Sequence, residues 1–208
     1  LSFVLGLQGP CISYDTACSS TLVAYHETVR SLHMSECTHG VLAGISIMLV
    51  PNLSLNFAAA GMLSPYGRCH TFDSRADGYA RGEACCAATL SSVTSSDAQG
   101  VLSLGSCVRQ DGRSASLTAP NGKAQQQLLQ ATLTDAAMTP ASILTWEAHG
   151  TGTALGDPIE MRSIGAAVLC RRNLFMPTSI SSCKANAGHS EPAAGGSGLI
   201  LSLIHISE

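Results

Sequence analysis

The apolar positions change their period along this chain, and the changes divide it into elements. Leu5 to Asp15 alternates loosely between apolar and small residues and predicts a strand running into a tight turn. From Ser19 to about Ser35, Leu22, Val23, Val29 and Leu32 recur at helical spacing, so Cys18 is expected where a strand ends and a helix begins. Thr38 to Leu49 is an apolar, glycine-containing stretch closed by Pro51 and Asn52, the pattern of a fully buried strand. Asn52 to Arg81 is rich in Ser, Gly, Asp and Arg and reads as one long functional or interfacial loop. Ala84 to Val93 and Val101 to Arg109 predict two strands joined by a Ser, Asp and Gly turn. The second half alternates: helix from about Gly122 to Ala137, strand from Ile143 to Ala148, helix from Pro158 to Leu169, short strand from Thr178 to Ser181, then a helix from near Ser190. Strands alternating with helices predict a layered α/β fold with parallel strands.

Composition narrows the possibilities. A chain of 208 residues, 45% hydrophobic, can bury one sizeable core and leaves no obvious second domain. Only 12% of it is charged, about half the usual share, so much of the chain is expected to face protein. The net charge of -3 gives no basic stripe for nucleic acid, and the longest apolar run, Gly40 to Val50, falls well short of roughly 20 membrane-spanning residues. The sequence opens at Leu1 inside an apolar stretch, with neither an initiator Met nor a signal-like segment, which predicts an internal piece of a longer protein. Leu201-Ser-Leu-Ile-His-Ile-Ser-Glu208 resembles the in-frame translation of a transposase adaptor used for sequencing libraries. Residues 1–200 are therefore taken as native and 201–208 as adaptor-derived. The nine cysteines are odd in number and sit mostly in apolar segments, as at Cys85-Cys86, which favours a reducing interior over a disulfide framework. His33, Cys37 and His39 lie close together, but no C-x-x-C pair completes a zinc set, and no metal is expected.

Three segments carry candidate chemistry. In Asp15-Thr-Ala-Cys18-Ser-Ser20 a thiol opens a helix, where N–H groups and the dipole favour thiolate and can hold an oxyanion; the same pattern fits a small buried hydrophobe. In Glu147-Ala-His149-Gly-Thr151-Gly-Thr153 a histidine ends an apolar strand and enters a loop of small residues, while a satisfied core histidine remains the alternative. Asp157-Pro158-Ile-Glu160 fits a helix N-cap, a proline at N1 and a capping-box glutamate, a structural role for Asp157 that leaves Glu160 open. In Lys184-Ala-Asn-Ala-Gly188-His189 a lysine precedes a second histidine; it is either a solvated charge or part of a site. One cysteine and two histidines at strand ends predict a shared sheet edge and acyl transfer as the reaction class.

These segments, in this order, resemble the signatures of the ketosynthase domains of type I polyketide synthases, with fatty-acid condensing enzymes as near relatives. Gly61-Met-Leu-Ser-Pro65, Gly78-Tyr-Ala-Arg-Gly-Glu83 and Gly156-Asp-Pro-Ile-Glu160 match as well, and the likeness covers essentially residues 1–200. The resemblance implies a thiolase-like five-layer α/β/α/β/α fold, here the end of its first half and most of its second, and a dimeric parent enzyme. It implies that Cys18 accepts an acyl chain from an acyl carrier protein, and that its backbone N–H contributes to the oxyanion hole. His149 and His189 would stabilise the enolate formed when a malonyl thioester loses carbon dioxide. Lys184 would anchor the network beside His189 with Glu160 as ionic partner, and Thr151 and Thr153 would bond the phosphopantetheine arm. No cofactor is implied for the domain itself, because the arm belongs to the carrier; a cytoplasmic or plastid setting is expected. Ala185 and Ala187 depart from the commoner Lys-Ser-Asn-Ile-Gly-His pattern, and Cys85-Cys86 from a small-residue pair, without removing a reacting group. A non-elongating, acyl-holding domain, a fatty-acid synthase counterpart and a thiolase acting on coenzyme A thioesters are the competing readings.

Overall fold

The computed structural model describes residues 1–93, 100–116, 118–171 and 177–207. Its elements run α1 (Ser2–Leu5), α2 (Ser20–His33), β1 (His39–Ser46), α3 (Asn52–Ala59), β2 (Ala84–Ser91), α4 (Gly122–Asp135), β3 (Thr145–Glu147), α5 (Gly156–Ala167), β4 (Ser179–Ser181), α6 (Lys184–Ala187) and α7 (Ala194–Ser207). They sort into two compact units, each assembled from separated stretches. Leu1–Ser46, Ala84–Leu102 and Glu191–Glu208 make the first unit; Ile47–Glu83 and Ser103–Ser190 make the second.

In the first unit β1 and β2 form an antiparallel ladder, with His39 opposite Ser91 and Ser46 opposite Ala84. The side chains alternate as a pleated strand requires: Leu42 and Ser46 are buried, whereas Val41 and Ile45 are exposed. The buried face of β1 lies against α2 so closely that a Cβ on Gly44 would stand 2.2 Å from Thr21 Oγ1, an approach open only to glycine. The Thr21 hydroxyl donates to the Pro192 carbonyl, and the buried Cys86 thiol donates to the carbonyls of Gly44 at 3.4 Å and Ala193 at 3.8 Å. Helix, hairpin and the start of the last helical segment are thereby laced together. α7 continues through Ser207 and so runs without a break across the position where the adaptor-like segment begins.

Three expectations are corrected. Leu5 to Asp15 is not a strand: α1 ends at Leu5, Gly6 caps it in the left-handed region, and no regular element follows before the 3-10 turn Ala17–Ser19. Gly6, Gly9 and Pro10 break the alternation there, and Pro10 has no N–H to give a ladder. Val101 to Arg109 is also irregular, and the turn expected before it falls largely on residues 94–99, outside the described residues. In the long segment after Asn52, α3 takes up Asn52–Ala59, so the loop is shorter than its composition implied.

In the second unit Asn121 caps α4, its side-chain oxygen accepting from Lys123 N at 3.1 Å and Ala124 N at 3.2 Å. α4 packs on α5, and Ile164, Ala167 and Val168 form a core against Leu129, Leu133, Trp146 and Ile180. Trp146 and Ile180 face one another across β3 and β4, which pair in parallel. Among the named strands of the described residues, β3–β4 is thus the parallel pair and β1–β2 the antiparallel one, and the isolated bridges Leu63–Tyr79 and Arg81–His189 are also parallel. The segment after α3 is pinned by Leu63, which bridges Tyr79, with Ser64 N donating to Tyr79 O at 3.0 Å and Tyr79 N to Met62 O at 3.1 Å.

Candidate active site

The loop that follows β3 is held by carboxylates acting on its backbone. Glu160 accepts from His149 N at 2.6 Å and Gly150 N at 2.8 Å. Asp157, buried, accepts from Gly152 N at 3.0 Å and Thr153 N at 3.2 Å with one oxygen, and from Phe72 N at 2.8 Å with the other. Four N–H groups of this loop, which has no secondary structure, are satisfied in this way, the condition for burying it, and the Phe72 N–H ties a separate segment to the same carboxylate as Gly152 and Thr153. The capping box expected at Asp157 and Glu160 is therefore corrected: α5 begins at Gly156 with no side-chain cap, and both carboxylates turn to the loop instead. Thr151 is buried, and the Thr153 hydroxyl accepts from Gly156 N at 3.2 Å. Gly152 has φ 81°, and a Cβ there would meet His70 N at 2.6 Å, so glycine is required by conformation and by space together.

β4 brings up the other half. Ala148 N donates to Ser181 O at 2.7 Å, the Ser182 hydroxyl to His149 O at 3.2 Å, and Cys183 N to Glu147 Oε1 at 2.7 Å. Burial and the Glu147 carboxylate push the Cys183 thiol up to about 11, which keeps it protonated and inert. Lys184 opens α6 and is only 5% exposed, so it is not a solvated surface charge. Lys184 and Glu160 form no ion pair within 4.0 Å, but after burial and the two backbone N–H groups the Lys184 charge still acts on the Glu160 carboxyl. Gly188 ends α6, and His189 N donates to Ala80 O at 2.7 Å while Gly82 N donates to His189 O at 2.9 Å.

The two imidazoles meet at right angles, ring centroids 5.4 Å apart and planes at 90°. Burial and then the Lys184 charge lower the pKa of His189 from 6.5 to about 4. His149 keeps solvent-accessible surface, yet protein crowds its ring enough that desolvation leads, followed by Lys184 and His189, in lowering it to about 3. Both rings are therefore neutral near pH 7, and each offers one N–H donor and one acceptor. Burial pushes the Glu160 carboxyl up, against the two N–H groups it accepts.

Cys18 belongs to the first unit. It lies half-buried in the 3-10 turn Ala17–Ser19 that leads into α2. Ala17, just before it, has φ 55°, a conformation that a residue with a Cβ adopts only when its surroundings impose it. Ser20 imposes it here, accepting from Thr16 N at 2.9 Å and donating to Ala17 O at 2.7 Å. Sequence reasoning gave no role to Tyr79, whose ring stands 5.0 Å from that of His189, or to Glu147; both lie inside motifs already singled out, and their glycine-rich surroundings were the available signal.

Solved structures resembling this chain are ketosynthases. The oxazolomycin ketosynthase domain of Streptomyces albus superposes with a TM-score of 0.90 at 34% identity, over 98% of this chain and 36% of its own. The ketosynthase from module 6 of the bacillaene synthase of Bacillus subtilis gives 0.91 at 35%, over 98% and 37%. The fold is thus thiolase-like, as expected. Residues 1–96 match the model for the beta-ketoacyl synthase N-terminal domain and residues 101–208 that for the C-terminal domain; the chain belongs to the beta-ketoacyl synthase family. Similar curated proteins include a phenolphthiocerol/phthiocerol polyketide synthase of Mycobacterium tuberculosis, 44% identical over 99% of this chain and 11% of that protein. A spectinabilin polyketide synthase protein of Streptomyces orinoci is 43% identical over 96% and 6%. The chain thus spans about a tenth or less of these relatives.

Proposed function

We propose that the protein containing this chain is a beta-ketoacyl synthase of a polyketide pathway, and that Cys18, His149, His189 and Lys184 carry its chemistry. The Cys18 thiolate attacks the thioester of an acyl chain on a carrier protein, the carrier's phosphopantetheine thiol leaves, and the acyl chain stays on Cys18. A malonyl-type thioester on a carrier then loses carbon dioxide; His149 and His189 donate to the enolate oxygen, and the carbanion attacks the Cys18 thioester. The product is a 3-oxoacyl thioester on the carrier, with Cys18 regenerated. Lys184 adds its charge to the effect of burial in holding both imidazoles neutral. Thr151 and Thr153 lie on the loop that would receive the phosphopantetheine arm, and Glu160 keeps that loop in place. The domain needs no cofactor of its own. Its partners are the acyl carrier protein and, in the intact enzyme, a second copy of itself, in a cytoplasmic setting.

The observation that carries this reading is the perpendicular pair of neutral imidazoles beside a buried lysine, since neutral rings donate to an enolate without protonating it outright. The intact domain, given acyl-loaded and malonyl-loaded carrier protein, should release carbon dioxide and form the 3-oxoacyl carrier, and Cys18→Ala should abolish elongation. Acylation of Cys18 without elongation would overturn the reading in favour of an acyl-holding domain.

A further inference from the structure

The plane of a histidine ring is soft, because its terminal torsion is broad and nearly two-fold, so a histidine that must offer one particular nitrogen needs something to hold it. The usual device is a hydrogen bond to the other ring nitrogen. His189 lacks it: the residue is 3% exposed, and its buried Nδ1 has no hydrogen-bond partner among the described residues. What meets the ring is aromatic. Tyr79, itself buried, stands edge-to-face with His189 at 5.0 Å and 83°, and Phe57 stands edge-to-face with Tyr79 at 6.4 Å and 63°. The Arg81 guanidinium lies 5.4 Å from the Phe57 ring centroid and donates to Ser54 Oγ at 2.6 Å, tying α3 to the segment that carries Tyr79. That same segment fixes the His189 backbone, since Arg81 bridges His189 and Ala80 and Gly82 exchange hydrogen bonds with it.

We propose that Tyr79 is a positioning residue for His189: backed by Phe57 and Arg81, its ring sets the plane of the His189 imidazole and so selects the nitrogen offered to the substrate. The inference rests on the reading of His189 as a donor to the enolate. Tyr79, His189 and His149 form three successive rings, each nearly perpendicular to the next, so a turn of the first is felt by both others. Backbone bonds fix where His189 sits; the aromatic column fixes how it faces. An error of about 1 Å in a reacting group costs on the order of 10²-fold in rate, which sets the scale of the effect.

The test uses the intact ketosynthase and separates its two steps, acylation of Cys18 from an acyl carrier and condensation with a malonyl carrier. Tyr79→Leu should keep acylation within about twofold and lower condensation roughly 10–100-fold, whereas Tyr79→Phe should keep both within about threefold. Phe57→Leu, one ring further out, should give a smaller fall with the same split, and it serves if the leucine variant at 79 does not fold. A crystal structure of each variant reads the ring directly: the His189 imidazole should turn in Tyr79→Leu and stay in Tyr79→Phe. Equal losses in both steps, a phenylalanine variant as poor as the leucine one, or an unturned imidazole would each overturn the inference. A wild-type enzyme that acylates but never condenses sinks the proposed function alone, and the ring orientation still decides the role of Tyr79.

Discussion

His149 and His189 are neutral because the protein makes protonation costly, and that cost has a pH signature. Their folded values of about 3 and about 4 lie below the ordinary 6.5, so between about pH 6.5 and pH 4 the unfolded chain binds protons that the folded chain refuses. The stability from this source is fully present above pH 6.5 and is lost as pH falls through the window. Urea denaturation of the intact domain at pH 7.5, 5.5 and 4.5 should show that decline, and His189→Gln, which cannot titrate, should make it shallower. An unchanged slope in that variant would remove His189 as a source. Gly152 offers a second residue-scale test. With φ 81° and a Cβ position 2.6 Å from His70 N, Gly152→Ala should cost about 1–3 kcal/mol in denaturant titration, and a neutral result would mean that the loop can shift.

At the scale of elements, α5 is joined to its loop by charge rather than by a cap. Two oxygens of Asp157 receive three N–H groups, whereas the amide of Asp157→Asn has one acceptor oxygen and would turn an NH₂ towards a donor. A loss of about 1.5–3 kcal/mol is expected, measured as a lower urea midpoint at unchanged slope. The sequence misleads here in an instructive way. Asp-Pro-Ile-Glu is the pattern of a helix start, and a helix does start there; what the pattern cannot carry is the location of Phe72, 85 residues away, whose N–H claims the carboxylate. The elements with a clear period were legible: α2, α4, α5 and the paired strands β1 to β4 fall within a few residues of expectation. α3 was not, because Leu53, Leu55 and Phe57 recur every second residue and disguise a helix as polar alternation. The segments 5–15 and 101–109 failed for the opposite reason, since apolar alternation makes a strand only when a neighbour supplies a ladder. The residues of the candidate site were legible as chemistry, but the Tyr79 contact and the carboxylate clamps depend on distant packing that no local pattern encodes.

At the scale of the whole molecule, apolar surface is the salient property. Phe3 is 98% exposed, Leu1, Val4 and Leu49 more than four-fifths, and Val41 and Ile45 stand together on the open face of β1. Surface of this kind associates in water. The 208-residue chain alone should elute above its 21.4 kDa monomer mass in light-scattering chromatography, increasingly so with concentration, and Val41→Lys with Ile45→Lys should reduce the effect. A concentration-independent monomer would contradict this. Among the described residues no helix is long and apolar enough to cross a membrane.

The bond from Thr21 to the Pro192 carbonyl spans 171 residues, and it implies a delay during synthesis. At ~5–20 residues per second a ribosome needs roughly 10–30 s to travel that distance. α2, β1 and β2 are complete once Ser91 has been added, and for the remaining ~100 residues the segment that seals them does not yet exist. The nascent first unit must therefore wait open while Ser103–Ser190 of the second unit is translated, and chaperone occupancy should be heaviest in that window.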